Sequence, residues 1–117
     1  MTYKPYTVVA VPFPFTDSPR TKKRPAVVLS SEDHQSKTSH ITLLMVTTAK
    51  HSRWFDDHSI IDVTVAGLHA PSIIRQKIFT IDIRLIIKKI GMLHSKDQRE
   101  INNILRKHIL DSCTAHC

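Results

Sequence analysis

The sequence feature that most constrains the fold is a series of short segments rich in β-branched residues, each bounded by proline or polar residues. Segments of this length and composition predict strands rather than helices. Six strands are predicted in this way: Thr7–Phe13, Pro25–Ser30, His40–Thr48, His58–Val65, Ser72–Ile83 and Leu85–Met92. The third strand carries apolar residues on both faces, which predicts burial on both sides.

One amphipathic helix is predicted after the last strand. Ser95 can cap its N-terminus with Gln98 as the capping-box partner. Apolar residues then recur at helical spacing from Ile101 to Ile109, so the helix is expected to end near Leu110. Strands followed by one such helix are typical of a small β-barrel with a covering helix, which predicts a mainly β (α+β) fold class.

The length predicts a single domain over residues 1–111, because a chain of 117 residues buries enough surface for one core and no more. Residues 112–117 are predicted to form a disordered tail. This tail contains both cysteines, Cys113 and Cys117, and two such ligands are too few for a structural zinc site. The sequence contains no metalloprotease His-Glu-x-x-His pattern and no glycine-rich phosphate loop, so no metal and no cofactor is expected.

The charge distribution favours a polyanionic partner. The chain contains 17 Lys and Arg residues against 10 Asp and Glu residues, with a formal net charge of +7. The cations concentrate in residues 1–31 and 75–107, on either side of a mildly acidic middle. A basic domain attracts nucleic acid chiefly through phosphate contacts. A surface charge that only keeps the protein in solution is the other interpretation.

A membrane partner is not expected. No apolar run approaches the roughly 20 residues that a membrane-spanning helix needs. The first twelve residues lack the long apolar run of a secretory leader. The chain is therefore expected to be cytoplasmic.

Four segments of the chain, taken in order, resemble the pattern of one protein family. They are Val8–Asp17, Lys22–Ser30, Ser72–Asp82 and Ile86–Leu93, the last leading into the predicted helix. On these segments the chain resembles the MazF/PemK toxins of type II toxin–antitoxin systems, over roughly residues 6–110. Several separate matches in the right order are far more specific than one short motif.

The resemblance implies an SH3-like barrel that forms a two-fold homodimer. It also implies a metal-independent endoribonuclease, which cleaves single-stranded RNA to 2′,3′-cyclic phosphate and 5′-hydroxyl ends. Its partner would be a cognate antitoxin with an acidic, partly disordered segment that lies over the RNA site.

The resemblance also implies the site residues. An arginine before the Pro-Ala-Val-Val strand and a threonine at the end of the next strand form the family's cleavage centre, and Arg24 and Thr47 match those positions. Substrate-binding roles are predicted for further cationic, hydroxyl and aromatic residues, namely Arg20, Lys22, Lys23, Thr48, Arg53, Trp54, Arg75 and Lys77. Cations in these positions can bind RNA phosphates, and Trp54 can either stack on an unpaired base or close one end of the barrel.

The chain departs from the family pattern in two ways that bear on the chemistry. Its first loop lacks the glycines and the glutamate of typical members. Some members have an aspartate two residues after an arginine on the fifth strand, where this chain has Lys77. Two alternatives therefore stay open: a toxin of the same fold that binds a protein such as DNA gyrase, or an inactive barrel that only binds RNA.

Overall fold

A computed structural model of the chain describes residues 1–13, 22–48 and 53–115. Its strands are β1 (Thr7–Phe13), β2 (Lys22–Val28), β3 (His40–Thr47), β4 (His58–Ser59), β5 (Ile73–Asp82) and β6 (Lys88–Met92). Its helices are α1 (Glu32–Thr38) and α2 (Ser95–Leu105), followed by a π-helical turn (Arg106–Leu110) and α3 (Asp111–Ala115). A short 3-10 turn, Ile83–Leu85, precedes β6.

The six strands form one antiparallel sheet in the order β4-β5-β3-β2-β1-β6. The sheet curls into a half-barrel, and this confirms the predicted mainly β, SH3-like architecture with a C-terminal helix. Neighbouring strands pair in continuous register except at bulges in the β1–β6 and β3–β5 pairs. None of the helices in the described part of the chain is long and apolar enough to cross a membrane.

Each face of the sheet has its own apolar cluster. Val8, Val27 and Leu44 face the C-terminal helix, where Ile101 is fully buried against them. The opposite face carries the second cluster, made of Val9, Val11, Ala26, Val28, Ile41 and Leu43. A strand with apolar residues on both faces is a continuous hydrophobic run in the sequence. This is why the sequence predicted burial on both sides of the third strand.

The prediction of a strand over His58–Val65 is wrong beyond its first two residues. Only His58 and Ser59 pair with β5, and the chain then turns. The backbone N–H groups of Ile61 and Asp62 donate to the carboxylate of Asp97 on α2, at 2.8 and 3.2 Å. Because a helix side chain satisfies these donors, the segment needs no strand partner.

The polar segment between β2 and β3, where neither a strand nor a helix was predicted, contains helix α1. Ser31 caps it by accepting a hydrogen bond from the His34 N–H at 3.1 Å. Only Gln35 is buried, and its amide bonds both the N–H and the carbonyl of Tyr3 at 2.8 Å. A seven-residue helix with one buried polar residue shows no apolar stripe, so hydrophobic periodicity could not reveal it.

The C-terminal helical region extends beyond its expected end at Leu110. The π-helical turn continues directly into α3, which runs to Ala115. Cys113 is exposed. The remaining residues of the predicted tail, His116 and Cys117, lie outside the described part of the chain.

The chain has two glycines, Gly67 in a turn and Gly91 in β6, and they lie where this turn contacts the strand. Gly67 has φ +79°, and a Cβ placed there would lie 2.4 Å from the carbonyl oxygen of Ile90. A Cβ on Gly91 would lie 2.6 Å from the carbonyl carbon and oxygen of Ala66. The turn that contains Gly67 and strand β6 therefore touch backbone to backbone.

Replacing Gly91 by alanine is expected to lower the free energy of unfolding by about 1–3 kcal/mol, because the added methyl group forces two backbones apart. Urea denaturation of the purified protein measures this change. The matched control is Ser36→Ala, at an exposed position of α1. A Gly91→Ala variant as stable as the control would contradict the close backbone contact.

Candidate functional site

Arg24 and Thr47 lie at the same end of two neighbouring strands. β2 and β3 pair with Ala26 opposite Met45, and the same register continued by two residues places Arg24 opposite Thr47. Both side chains are half-buried. Residues directly opposite in an antiparallel pair point to the same face, so the side chains of Arg24 and Thr47 face the same side of the sheet.

A buried ion pair lies on this face, one step further into the sheet. Arg75 is opposite Met45, and its guanidinium donates from Nε and Nη2 to the two carboxylate oxygens of Asp57, at 3.1 and 2.9 Å. The exposed fractions of the two side chains are only 9% and 8%. Arg75 is diagonal to Thr47 across the β3–β5 pair, a separation that long side chains can bridge.

The protonation of this pair is fixed by its contacts. Burial acts to raise the pKa of Asp57, but the hydrogen bonds from Arg75 and from the Trp54 N–H outweigh it and hold the pKa below 3.8. The same hydrogen bond raises the pKa of Arg75. Asp57 is therefore a carboxylate and not a proton donor at neutral pH.

Trp54 is held over two cations. Its backbone N–H donates to Asp57 at 2.9 Å, and its indole ring centroid lies 5.1 Å from the Arg75 guanidinium carbon and 5.5 Å from the Lys77 ammonium. Cations in these positions attract the π face of the ring. The side chain is 41% exposed, so one part of the ring remains accessible to a flat ligand.

Two clefts lie on either side of one loop at this end of the sheet. The first, which we call the threonine cleft, has a volume of about 440 Å³ and includes Thr48, Arg53, Ser59, Ala70 and Pro71 in its lining. The second, the lysine cleft, has a volume of about 450 Å³ and includes Pro25, Gly67, His69, Lys88 and Lys89. Thr48 and Pro25, which line the two clefts, directly follow Thr47 and Arg24 in the chain. Pro25 points to the face opposite Arg24, so the lysine cleft lies on the other face of the sheet.

A second buried contact anchors the turn that carries Trp54. The carboxylate of Asp97 is fully buried and accepts from His58 Nε2 at 2.7 Å as well as from two backbone N–H groups. Burial acts to raise the pKa of Asp97, but the hydrogen bonds from Ile61, His58 and Asp62 together hold it below 3.8. This contact ties helix α2 to β4, the strand directly after Asp57.

The remaining predicted site residues fall into three groups. Thr48, Arg53, Lys23 and Lys77 have exposed side chains, and the first two line the threonine cleft. Lys22 begins β2. Arg20 lies outside the described residues.

Sequence reasoning missed Asp57, Lys88 and Lys89 as site residues. Asp57 supplies an acid beside Arg75. The position two residues after Arg75 on β5, where an acid was sought in the sequence, is Lys77. The position of Asp57 opposite Arg75 depends on β4 pairing with β5, which places Asp57 one residue before His58 and its partner Ile74. A two-residue strand gives no signal in the sequence from which this pairing could be predicted.

Comparison with known proteins decides the family. The profile described as "PemK-like, MazF-like toxin of type II toxin-antitoxin system" matches residues 4–109, nearly the whole chain. The chain belongs to the PemK/MazF family of toxins. The resemblance found in the sequence is thereby confirmed, and the protein is a toxin of a toxin–antitoxin system. No curated protein sequence matches it.

Solved PemK/MazF structures share the fold at low sequence identity. MazF from Deinococcus radiodurans has a TM-score of 0.70 at 14% identity, covering 92% of this chain and 96% of its own. Mycobacterium tuberculosis toxin MazF-mt6 has a TM-score of 0.68 at 19% identity, covering 86% and 93%. An endoribonuclease in complex with its cognate antitoxin, from a mycobacterial species, has a TM-score of 0.68 at 12% identity, covering 91% of both chains.

Proposed function

We propose that this toxin is a metal-independent endoribonuclease that cleaves single-stranded RNA in the cytoplasm, with Arg24 and Thr47 at the centre of the reaction. The observation that carries the proposal is the strand register, which brings these two residues to one face beside a buried ion pair. The family membership supports it, and one relative of the same fold is named an endoribonuclease.

The proposed reaction uses the ribose 2′-hydroxyl of the RNA as the nucleophile. Its oxygen forms a bond to the adjacent phosphorus while the bond from phosphorus to the 5′-oxygen breaks. The 2′-hydroxyl loses its proton, and the departing 5′-oxygen gains one. The products are a 2′,3′-cyclic phosphate and a 5′-hydroxyl end, and neither a metal nor a cofactor is needed.

Arg24 has the chemistry to stabilise the charge that builds on the phosphate oxygens during this reaction. Its planar guanidinium can hold two phosphate oxygens at once, and such stabilisation is usually the largest catalytic contribution. An arginine releases a proton only at a pH above about 12, so its first role is electrostatic. Thr47 is a hydrogen-bond partner for the phosphate or the 2′-hydroxyl.

Arg75 is proposed to act through Trp54 rather than to bind phosphate directly. Its guanidinium is engaged by Asp57 and stacks beneath the indole ring, so it holds a partly exposed aromatic surface next to the cleavage centre. Stacking of a base on such a surface is worth about 1–3 kcal/mol and tolerates any sequence. Arg53 and Lys77 flank this surface with positive charge.

RNA binding is expected to quench the fluorescence of Trp54, which is the only tryptophan of the chain. Replacing Trp54 by alanine is expected to weaken RNA binding by about ten-fold or more, because one stacked base is lost, whereas Trp54→Phe retains most of the affinity. A titration with single-stranded RNA measures both effects. Unchanged affinity of the alanine variant would remove Trp54 from the binding site.

Two partners follow from the proposed function. Relatives of the same fold are described as complexes of MazE with MazF, and we propose that a cognate acidic antitoxin covers the basic end of this sheet. A two-fold homodimer is the expected assembly. Size-exclusion chromatography with light scattering tests the dimer. Raising the salt concentration on the complex purified after co-expression tests whether the toxin and the antitoxin separate.

A comparison of two possible targets separates this proposal from its alternatives. Purified protein is incubated with single-stranded RNA, and in parallel with DNA gyrase in a supercoiling assay. We expect cleaved RNA and unaffected gyrase. Inhibited gyrase with intact RNA would assign the protein to the second kind of toxin, and tight RNA binding without cleavage would make it an inactive RNA-binding barrel.

A further inference from the structure

The lysine cleft is a cationic cavity that the proposed reaction does not use. Lys88, Lys89 and His69 have exposed side chains, and all three line the same volume of about 450 Å³. The described residues that line it include neither aspartate nor glutamate. A concave site with only positive or neutral polar groups suits an anion.

The shape of this cleft is built into the backbone. The turn before His69 touches β6 at both glycines of the chain, where a Cβ on Gly67 would lie 2.4 Å from the Ile90 carbonyl oxygen. The Met92 N–H also donates to the Val65 carbonyl at 3.3 Å. The wall that carries His69 is therefore fixed against the strand that carries the two lysines, and little ordering remains to be done when a ligand binds.

The cleft has a defined position relative to the cleavage centre. Lys88 is paired with Ala10 on β1, and Ala10 is paired with Pro25 on β2, so the three residues form one row across the sheet. Neighbouring strands lie about 4.8 Å apart, so Lys88 is roughly 10 Å along this row from the residue that follows Arg24.

We propose that Lys88 and Lys89, with His69, form a subsite for an RNA phosphate outside the cleavage centre, on the same bound strand. The strand of RNA would pass from Arg24 and Thr47 over the end of the sheet, because Pro25 points to the face opposite Arg24. This inference rests on the proposed function, and it adds two residues that fix the register of a longer substrate without touching the reacting atoms.

The two lysines have a competing explanation. β6 is an edge strand of the sheet, and lysines on an edge discourage pairing with strands of other molecules. That role predicts aggregation when the lysines are removed and no change in RNA affinity. The cleft beside the strand, with His69 in its lining, is not needed for edge protection.

The experiment measures binding of a 2′-O-methyl RNA, which lacks the free 2′-hydroxyl and so cannot be cut. Fluorescence anisotropy of a labelled strand of about 12 nucleotides gives the dissociation constant as salt is raised. The test variant is Lys88→Gln with Lys89→Gln. The matched control is Lys4→Gln with Lys37→Gln, which removes the same charge from exposed positions at the other end of β2.

We expect the test variant to bind about ten-fold more weakly near 0.1 M salt, and the slope of log K against log salt to fall by about 0.7, the value for one lost phosphate contact. The control variant is expected to match the wild type. A dinucleotide has only the phosphate at the cleavage centre and none for the subsite, so the test variant should bind it as tightly as the wild type.

Three results would overturn the inference. If the wild type does not bind RNA at all, the proposed function fails and the subsite fails with it. If the wild type binds RNA but the test variant keeps its affinity and salt slope, only the subsite is wrong and the lysines protect the edge. If the control variant loses as much affinity as the test variant, the effect is one of total charge.

Discussion

Replacing Arg24 by alanine is expected to lower the rate of RNA cleavage by about 10²–10³-fold while the protein remains folded. The reason is that the guanidinium is the strongest group placed to stabilise charge on the scissile phosphate, and it lies opposite Thr47 in the strand register. The measurement is single-turnover cleavage of a defined RNA with enzyme in excess, which removes substrate binding from the rate.

Two variants make this result specific. Arg24→Lys keeps the positive charge but loses the two-pronged geometry, so it is expected to recover only part of the rate. Lys23→Ala removes an exposed cation at the neighbouring position of the same strand and is expected to affect binding more than the rate of the chemical step. Equal loss of the single-turnover rate in Lys23→Ala and Arg24→Ala would show that the cations of β2 contribute only a general electrostatic attraction for RNA.

Replacing Asp97 by alanine is expected to lower the free energy of unfolding by about 3–5 kcal/mol. The Asp97 carboxylate is fully buried and accepts three hydrogen bonds, so its removal leaves His58 and two backbone N–H groups without their partner. Chemical denaturation measures the loss. Asp33→Ala, which removes a carboxylate from an exposed ion pair of α1, is the matched control and is expected to change stability by less than about 1 kcal/mol.

The same carboxylate predicts a dependence of stability on pH. The folded-state pKa of Asp97 lies below its ordinary value of 3.8, so the unfolded chain takes up the proton first as the pH falls. The stabilising contribution is complete above pH 3.8 and is lost as the pH falls through the folded pKa. Other carboxylates also titrate there, so the test is the difference in stability between the wild type and Asp97→Asn. A constant difference across this range would contradict the assignment.

The parts of the fold that depend on local pattern were predictable from sequence. Strands β1, β3 and β5 and the amphipathic helix α2 were expected within a few residues of their observed bounds, because apolar residues repeat clearly in each. The resemblance of the chain to the PemK/MazF family then indicated Arg24 and Thr47 as site residues. Their register could only be seen in the sheet, since it depends on pairing between residues far apart in the chain.

The rest depends on tertiary contacts that leave little trace in the sequence. The segment after Ser59 alternates as a strand does, yet its backbone donors are taken by Asp97, nearly forty residues further along. Arg75 was predicted to bind RNA, and the structure pairs it with Asp57 in a buried ion pair. In each case one carboxylate, distant in sequence, decides the conformation, and neither residue stands out by type or spacing.

The central claim is that Arg24 and Thr47 form a metal-independent cleavage centre for RNA. The most direct test incubates the purified protein with a long single-stranded RNA in EDTA and determines the chemistry of the new ends. Discrete cuts with 2′,3′-cyclic phosphate and 5′-hydroxyl ends, lost in both Arg24→Ala and Thr47→Ala, are the predicted result. Intact RNA from folded wild-type protein, or cuts that persist in both variants, would contradict the claim.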